Sequence, residues 1–196
     1  FGVDPHESGE LVFKGEPLKI TKPEDAIKAG MAFVTENRKT EGLILDFSIL
    51  RNIALPSVDT FAKNSVINFG KLSGFADEMA KKLGVKAHSL DLEAGALSGG
   101  NQQKVVIAKW VGMNPDVIIM DEPTRGIDVG AKRDIYELMN ELTASGVSII
   151  MVSSELPEVL GMSDRIVVVH EGRIAGELLH DEADQEKIMT LATGGQ

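Results

Sequence analysis

Residues 117–122 read Val-Ile-Ile-Met-Asp-Glu, four apolar side chains followed at once by two carboxylates. A continuous apolar run of this kind is typical of a strand that is buried on both faces of a parallel sheet. Residues 147–152 form a second such run, and residues 135–142 between them repeat apolar side chains at helical spacing. Apolar strands that alternate with amphipathic helices predict an α/β fold with a mainly parallel sheet covered on both faces.

Outward from this region, the last part of the chain has the pattern of a β-hairpin. Two β-rich segments, 165–170 and 173–178, are separated by Glu171-Gly172, a typical turn sequence. Further predicted elements are a strand over 31–35, helices over 71–83 and 181–193, and a helix that begins at Ser98.

Composition excludes several classes of function. The 196-residue chain has 30 acidic residues against 20 Lys and Arg, and it contains no cysteine. A net charge of −10 argues against broad nucleic-acid binding, which depends on a basic surface. The lack of cysteine excludes disulfides, thiolate metal sites and a cysteine nucleophile, and no apolar run approaches the about 20 residues of a membrane helix. Because the chain begins at Phe1 rather than Met, we expect it to be a piece of a longer protein.

Polar side chains follow the two apolar runs directly. Asp121 and Glu122 come after the first run, and Ser153 and Ser154 after the second. Ligands of open parallel sheets bind beyond the carboxyl ends of the strands. Asp121 there could hold Mg²⁺ through water, and Glu122 could orient an attacking water. The alternative is an ordinary acidic turn after a strand.

A glycine-rich segment, Leu97 to Gln103, spans the start of the helix predicted from Ser98. Ser98 is placed to cap that helix, while Gly99 and Gly100 allow a ligand to approach the backbone closely. The first amides and the dipole of a helix favour a phosphate at this end. Taken alone, the segment is better explained by a capped helix after a glycine-rich turn.

The two segments together resemble an ABC-type ATPase. Gln103 and Asp121 are 18 positions apart, which fits a helix, a turn and a strand. Leu97 to Gln103 is similar to the signature motif of that family, Val117 to Glu122 to its Walker B strand with the catalytic glutamate, and Asp128 to its D-loop aspartate. The resemblance implies a P-loop NTPase-like nucleotide-binding domain with a helical signature subdomain.

Further segments narrow the resemblance to the ATPases of bacterial ribose, galactose and xylose importers. They are 101–104, 124–130 and 152–155 together with Glu158 and Val159. Those ATPases carry two fused nucleotide-binding halves, and the stretch 36–39 with Ser154 is similar to the second half.

Three departures from the general family pattern accompany the match. The P-loop pattern Gly-x-x-x-x-Gly-Lys-Ser/Thr is missing, since the one Gly-Lys pair, Gly70-Lys71, is followed by Leu72. Glu36 stands where a glutamine is usual, and Ser154 stands where most members have a histidine. Serine is a poor general base and cannot become a cation.

By this resemblance, the predicted cofactors are ATP and Mg²⁺. Asp121 would hold the metal, and Glu122, Asp128 and Ser154 would belong to the catalytic machinery. The predicted nucleotide-binding residues are Ser98, Gly99, Gly100, Gln102 and Glu36. We expect an incomplete domain over 1–196 that is truncated at its N-terminus, with a helical signature region over about 48–110 and an α/β core over about 111–180.

The implied activity is ATP hydrolysis coupled to monosaccharide import at the cytoplasmic face of the bacterial membrane. The implied partners are the other nucleotide-binding half, permease subunits contacted by residues 36–52 and, indirectly, a sugar-binding protein; nucleic acid is not among them. We expect the isolated chain to bind ATP weakly, to be nearly inactive and to be only marginally stable. Two other hypotheses on the function stay open: the chain is a noncatalytic regulatory module, or it belongs to an ABC protein of translation or DNA repair. The sequence does not identify the cargo.

Overall fold

The computed structural model describes residues 1–4 and 8–195. The chain divides into two compact units, Phe1–Ile150 and Met151–Gln196. The division falls inside the predicted 111–180 core, while the predicted helical region over 48–110 lies wholly in the first unit.

The first unit combines a three-stranded sheet and two two-stranded sheets with a group of helices. Its strands are β1 (Val12–Phe13), β2 (Glu16–Pro17), β3 (Met31–Val34), β4 (Ala62–Lys63), β5 (Val66–Ile67), β6 (Val117–Asp121) and β7 (Ser148–Val152), which runs into the second unit. Its helices are α1 (Pro23–Lys28), α2 (Ile49–Ala54), α3 (Phe69–Lys82), α4 (Gly99–Val111) and α5 (Val129–Ala144). A π-helical turn spans Arg38–Gly42, and 3₁₀ turns span Leu55–Phe61 and Ala94–Ala96.

The central sheet has the order β3-β6-β7. β3 runs parallel to β6, with Ala32 opposite Ile118 and Val34 opposite Met120. These four side chains are buried on one face, so the apolar run at 117–120 forms the predicted parallel strand. In such a sheet, Asp121 and Glu122 lie at the carboxyl end of β6.

The sheet is not covered on both faces, and that part of the prediction is wrong. Burial alternates along β6, and on β7 Ile150 is 56% exposed. A run of apolar residues shows that a strand can be buried, but which faces are covered depends on the other elements that pack there. In the described part of the chain, the second face is only partly covered.

Helix α4 lies at the centre of the helical region, where it packs against α2, α3, β3 and α5. Its residues Val105, Val106, Ile107 and Ala108 are completely buried. Because consecutive residues on a helix point in different directions, burial of four in a row means that α4 is surrounded on all sides. The middle of α4 therefore lies inside the core of this unit.

The second unit contains α6 (Leu156–Met162), β8 (Arg165–His170), β9 (Arg173–Leu179) and α7 (Gln185–Ala192), with a 3₁₀ turn at His180–Glu182. β8 and β9 form the predicted hairpin. The core of the second unit consists of Ile166 and Val168 from β8 and Ile188 from α7. α7 is shorter than the predicted helix over 181–193, because Asp184 caps it by accepting a hydrogen bond from the Lys187 amide.

Candidate functional site

A tight turn follows β6 and carries the predicted catalytic carboxylates. Glu122 has φ +46°, in the left-handed region that costs a non-glycine residue on the order of 1 kcal/mol. Pro123 and Thr124 are buried and anchor the turn, and the Arg125 amide donates to the Glu122 carbonyl at 3.1 Å. The backbone thus holds Asp121 and Glu122 side by side at the strand end, both partly exposed.

Asp128 ends this turn and begins α5. Its Oδ1 accepts a hydrogen bond from the Ala131 amide at 2.9 Å, which makes it the N-cap of α5. The next side chain, Val129, is 85% exposed. The catalytic role predicted for Asp128 stays a prediction, and the cap gives the side chain a structural role as well.

The N-terminus of α4 differs in one respect from the prediction. Ser98 makes no side-chain cap bond; its Oγ instead accepts from Asn101 Nδ2 at 3.1 Å, while Asn101 Oδ1 accepts from the Lys86 amide. Ser98 therefore occupies the N-cap position as predicted, but its side chain forms no hydrogen bond to the amides of α4. The first amides of a helix have no partner inside the helix, and Ser98 itself is exposed, so the predicted phosphate-binding end is accessible.

The two signature glycines have packing reasons of their own. A Cβ on Gly99 would lie 2.8 Å from Arg38 Nη2 and 3.2 Å from the Gly126 carbonyl oxygen. A Cβ on Gly100 would lie 2.5 Å from the Cβ of Ala131 on α5. The start of α4 therefore touches both the turn after β6 and the start of α5, a contact between the two motif segments that the sequence did not predict.

Gln102 points into the protein. It is 4% exposed, its Nε2 donates to the Ala94 carbonyl at 3.3 Å, and its Oε1 is buried with no hydrogen-bond partner among the described residues. Its predicted contact with nucleotide stays a prediction; the structure assigns the side chain a role in packing α4.

Glu36 lines a cleft of about 470 Å³ together with Arg38, Arg125 and Gly126. Its carboxylate forms an ion pair with Arg125. The negative charge that Glu36 introduces in place of the usual glutamine is therefore matched by a cation in this structure. Sequence reasoning did not find Arg38 and Arg125 as site residues, because nothing in the local pattern shows that segments nearly 90 residues apart meet here.

Ser154 belongs to the second unit, in the loop between β7 and α6. The neighbouring Ser153 Oγ donates to the carboxylate of Glu158, which is 3% exposed, and accepts from the Glu155 amide at 3.0 Å. This bonding fixes the loop that presents the exposed Ser154.

Asp121 is the residue that the sequence assigned to Mg²⁺. No group of three or more His, Cys, Asp or Glu converges on a metal site within residues 1–4 and 8–195. Mg²⁺ on nucleotides needs only one or two carboxylates, since phosphate oxygens and waters supply the other ligands. A single partly exposed carboxylate at a strand end fits that requirement.

Lys109, on α4, is partly buried, and its Nζ donates to the Gly42 carbonyl at 2.5 Å. Burial lowers the pKa of its ammonium group to about 8. In the unfolded chain, the pKa of this lysine has its ordinary value of about 10.4. Between about pH 8 and about pH 10.4, the unfolded chain therefore binds more protons than the folded chain. Stability contributed by this site therefore rises as pH increases from about 8 to about 10.

We expect Lys109→Met to flatten this rise, because methionine keeps the unbranched apolar stem and carries no proton. The measurement is the denaturation temperature of the full-length protein from pH 7 to 10, for the wild type and the variant. The difference between them should move in favour of the wild type as pH increases. Curves that stay parallel across the range would contradict the assignment.

None of the helices in the described ranges has the length and apolar character that crossing a bilayer requires.

The sequence profile of the family described as ABC transporter matches residues 1–125. Among curated relatives, the ribose import ATP-binding protein RbsA of Oceanobacillus iheyensis is 61% identical over 195 residues, and that of Bacillus subtilis is 60% identical over 196. Each alignment covers the whole chain but only 39% and 40% of the relative, so the chain spans about two fifths of their length.

Solved structures give the same fold. cbiO1 of Clostridium perfringens, part of the ABC transporter complex cbiONQ, superimposes with a TM-score of 0.76 at 24% identity, covering 96% of this chain and 72% of that one. A nucleotide-free ATP-binding cassette from an ABC transporter superimposes with a TM-score of 0.77 at 22% identity, covering 98% and 76%. With the profile match over more than half of its residues, the chain belongs to the ABC transporter family.

Proposed function

We propose that the chain forms part of the ATP-binding component of a transporter that imports ribose or a similar monosaccharide. The observation that carries the proposal is the contact between the start of α4 and the turn after β6. A Cβ added to Gly99 would lie 3.2 Å from the carbonyl oxygen of Gly126. The segments with phosphate-binding and water-activating chemistry thus adjoin through this contact, and in the proposal each serves a different nucleotide site. The names of relatives 57–61% identical to the chain support ribose as the cargo.

The residues at the start of α4 bind phosphate in this proposal. Ser98 offers a hydroxyl, and the first amides of α4 present N–H groups at the positive end of the helix dipole. By analogy with cassettes that pair head to tail, they complete the site whose other phosphate contacts come from the second nucleotide-binding half. The sequence departs from the usual catalytic pattern at Glu36 and Ser154, which the resemblance assigns to this half's own site. In the proposal, hydrolysis therefore takes place at the site that Ser98 completes.

Asp121 and Glu122 belong to this half's own site. Asp121 holds Mg²⁺, which when bound neutralises charge on the phosphates. Glu122 accepts a hydrogen bond from water and orients it. Because Glu36 is paired with Arg125 and the serine at 154 cannot act as an imidazole would, we propose that this site mainly binds or regulates.

The proposed assembly contains the second nucleotide-binding half and permease subunits, with a sugar-binding protein acting through the permease. The ATPase is then peripheral, at the cytoplasmic face of the membrane. The exposed residues Glu36, Asn37 and Lys39 are the proposed permease contacts, whereas Asn52 is buried and bonds to the carbonyls of its own loop.

The test is ATP hydrolysis and ribose uptake by the full-length protein reconstituted with its permease and binding protein in vesicles. Hydrolysis that is stimulated by ribose-loaded binding protein supports the proposal. ATP binding without turnover would instead favour the noncatalytic module, and stimulation by another sugar alone would overturn the assignment of ribose.

A further inference from the structure

Arg38 joins two segments that are far apart in sequence. Its Nη1 donates to the Arg125 carbonyl at 2.7 Å, and its Nη2 donates to the Gly126 carbonyl at 3.0 Å. Two parallel donors on two consecutive carbonyls use the planar fork of guanidinium, which lysine cannot reproduce. The turn after β6 is therefore held by one side chain at two adjacent points.

A second contact links the same two segments in the opposite direction. Arg125, whose carbonyl accepts from Arg38, uses its own side chain to pair with Glu36. Gly126 has φ +65°, a conformation in which glycine is unstrained. Each of the two segments, the loop at 36–38 and the turn at 125–126, thus contributes an arginine side chain that binds the other segment.

The guanidinium also packs against the first residue of α4. A Cβ on Gly99 would lie 2.8 Å from Arg38 Nη2, so glycine is what allows this approach. Arg38 Nε is buried with no hydrogen-bond partner among the described residues. Leaving a buried donor unpaired has a cost, and the two carbonyl bonds offset it.

The other end of the same segment is attached to α4 as well. Gly42 closes the π-helical turn, its carbonyl accepts from Lys109, and a Cβ there would lie 3.1 Å from Val106 Cγ2. Residues 38–42 are consequently bound at both ends to the helix whose first turn carries Ser98 and Gly99.

We propose that Arg38 is a positioning residue for ATP hydrolysis: it fixes the start of α4 relative to the turn at 125–126, so that the loop at 36–42 moves together with the phosphate-binding end of α4. The inference rests on the proposed function. Arg38 touches the groups that meet the nucleotide, and its contribution is to their alignment rather than to binding.

The test uses Arg38→Lys and Arg38→Ala in the full-length protein assembled with its permease. Because the charge remains in Arg38→Lys but the fork is lost, we expect kcat to fall at least about tenfold, while KM for ATP and the denaturation temperature stay close to the wild type. Amide hydrogen exchange should become faster at residues 98–101 and 122–128 and remain unchanged at 117–121. Arg133→Lys is the matched control, since Arg133 pairs with Glu137 on its own helix and should keep wild-type kcat and exchange.

Wild-type kcat in Arg38→Lys would overturn the proposal. So would a fall in kcat that comes with a lower denaturation temperature and faster exchange throughout the protein, because that pattern indicates a general structural role. Failure of the proposed function is distinguishable: the wild type would then not hydrolyse ATP, although the exchange measurement could still be read.

Discussion

Ser98→Arg is expected to lower the steady-state ATPase rate of the assembled transporter by at least about a hundredfold. Ser98 is exposed at the start of α4, beside the amides proposed to bind the γ-phosphate. An arginine there would place a bulky side chain where those amides and the transferred phosphoryl group must come together. Lost contacts to the transition state at such a position cost on the order of 3 kcal/mol or more.

Ser98→Ala is the matched control for this change. It removes the hydroxyl that accepts from Asn101 but leaves the amides of α4 accessible, since the hydroxyl makes no cap bond to the helix. We expect a much smaller loss of rate than in Ser98→Arg. Equal losses in the two variants would show that the hydroxyl, and not access to the amides, is the important group.

Glu122→Gln tests the proposed division of labour between the two sites. Glutamine keeps the size and the backbone conformation at φ +46° but removes the carboxylate. Because the proposed function assigns Glu122 to the site where Glu36 replaces the usual glutamine, its replacement should lower turnover clearly less than Ser98→Arg. If Glu122→Gln abolishes turnover while Ser98→Arg leaves it near normal, the division of labour is wrong.

Much of the fold was predictable because its signals are local. The apolar run at 117–120 with its terminal carboxylates, the Glu171-Gly172 turn and the glycines at the start of α4 each specify their own element, and the structure contains all three. The order of helix, turn and strand between Gln103 and Asp121 also followed from their spacing of 18 positions, whereas the direct contact of α4 with the turn after β6 did not.

The contacts inside the site were not predictable, because they depend on residues distant in sequence. Arg38 and Gly126 are 88 positions apart, and no periodicity links a loop residue to a carbonyl in another turn. The missing side-chain bond at the Ser98 cap has a related origin, because the hydroxyl has other possible partners and here accepts from Asn101. Burial of Gln102 likewise depends on how tightly α4 is surrounded.

The largest expected effect on stability belongs to Gly100→Ala. Alanine normally favours a helix interior over glycine by about 1 kcal/mol, but at this position its Cβ would lie 2.5 Å from the Cβ of Ala131. Both atoms are attached directly to backbone, so relief requires α4 and α5 to move apart. Such overpacking typically costs about 1–3 kcal/mol, and we expect the denaturation temperature of the full-length protein to fall by several degrees.

Gly74→Ala on α3 provides the opposite control, because a Cβ at Gly74 meets nothing within 4 Å and should stabilise the helix. Adding Ala131→Gly to Gly100→Ala removes the second methyl of the clash. If contact between α4 and α5 sets the need for glycine at position 100, the double variant recovers most of the lost stability, beyond the sum of the two single changes. Additive losses, or a stabilised Gly100→Ala protein, would mean that the helices adjust freely and that glycine at this position serves only the approach of phosphate to the backbone.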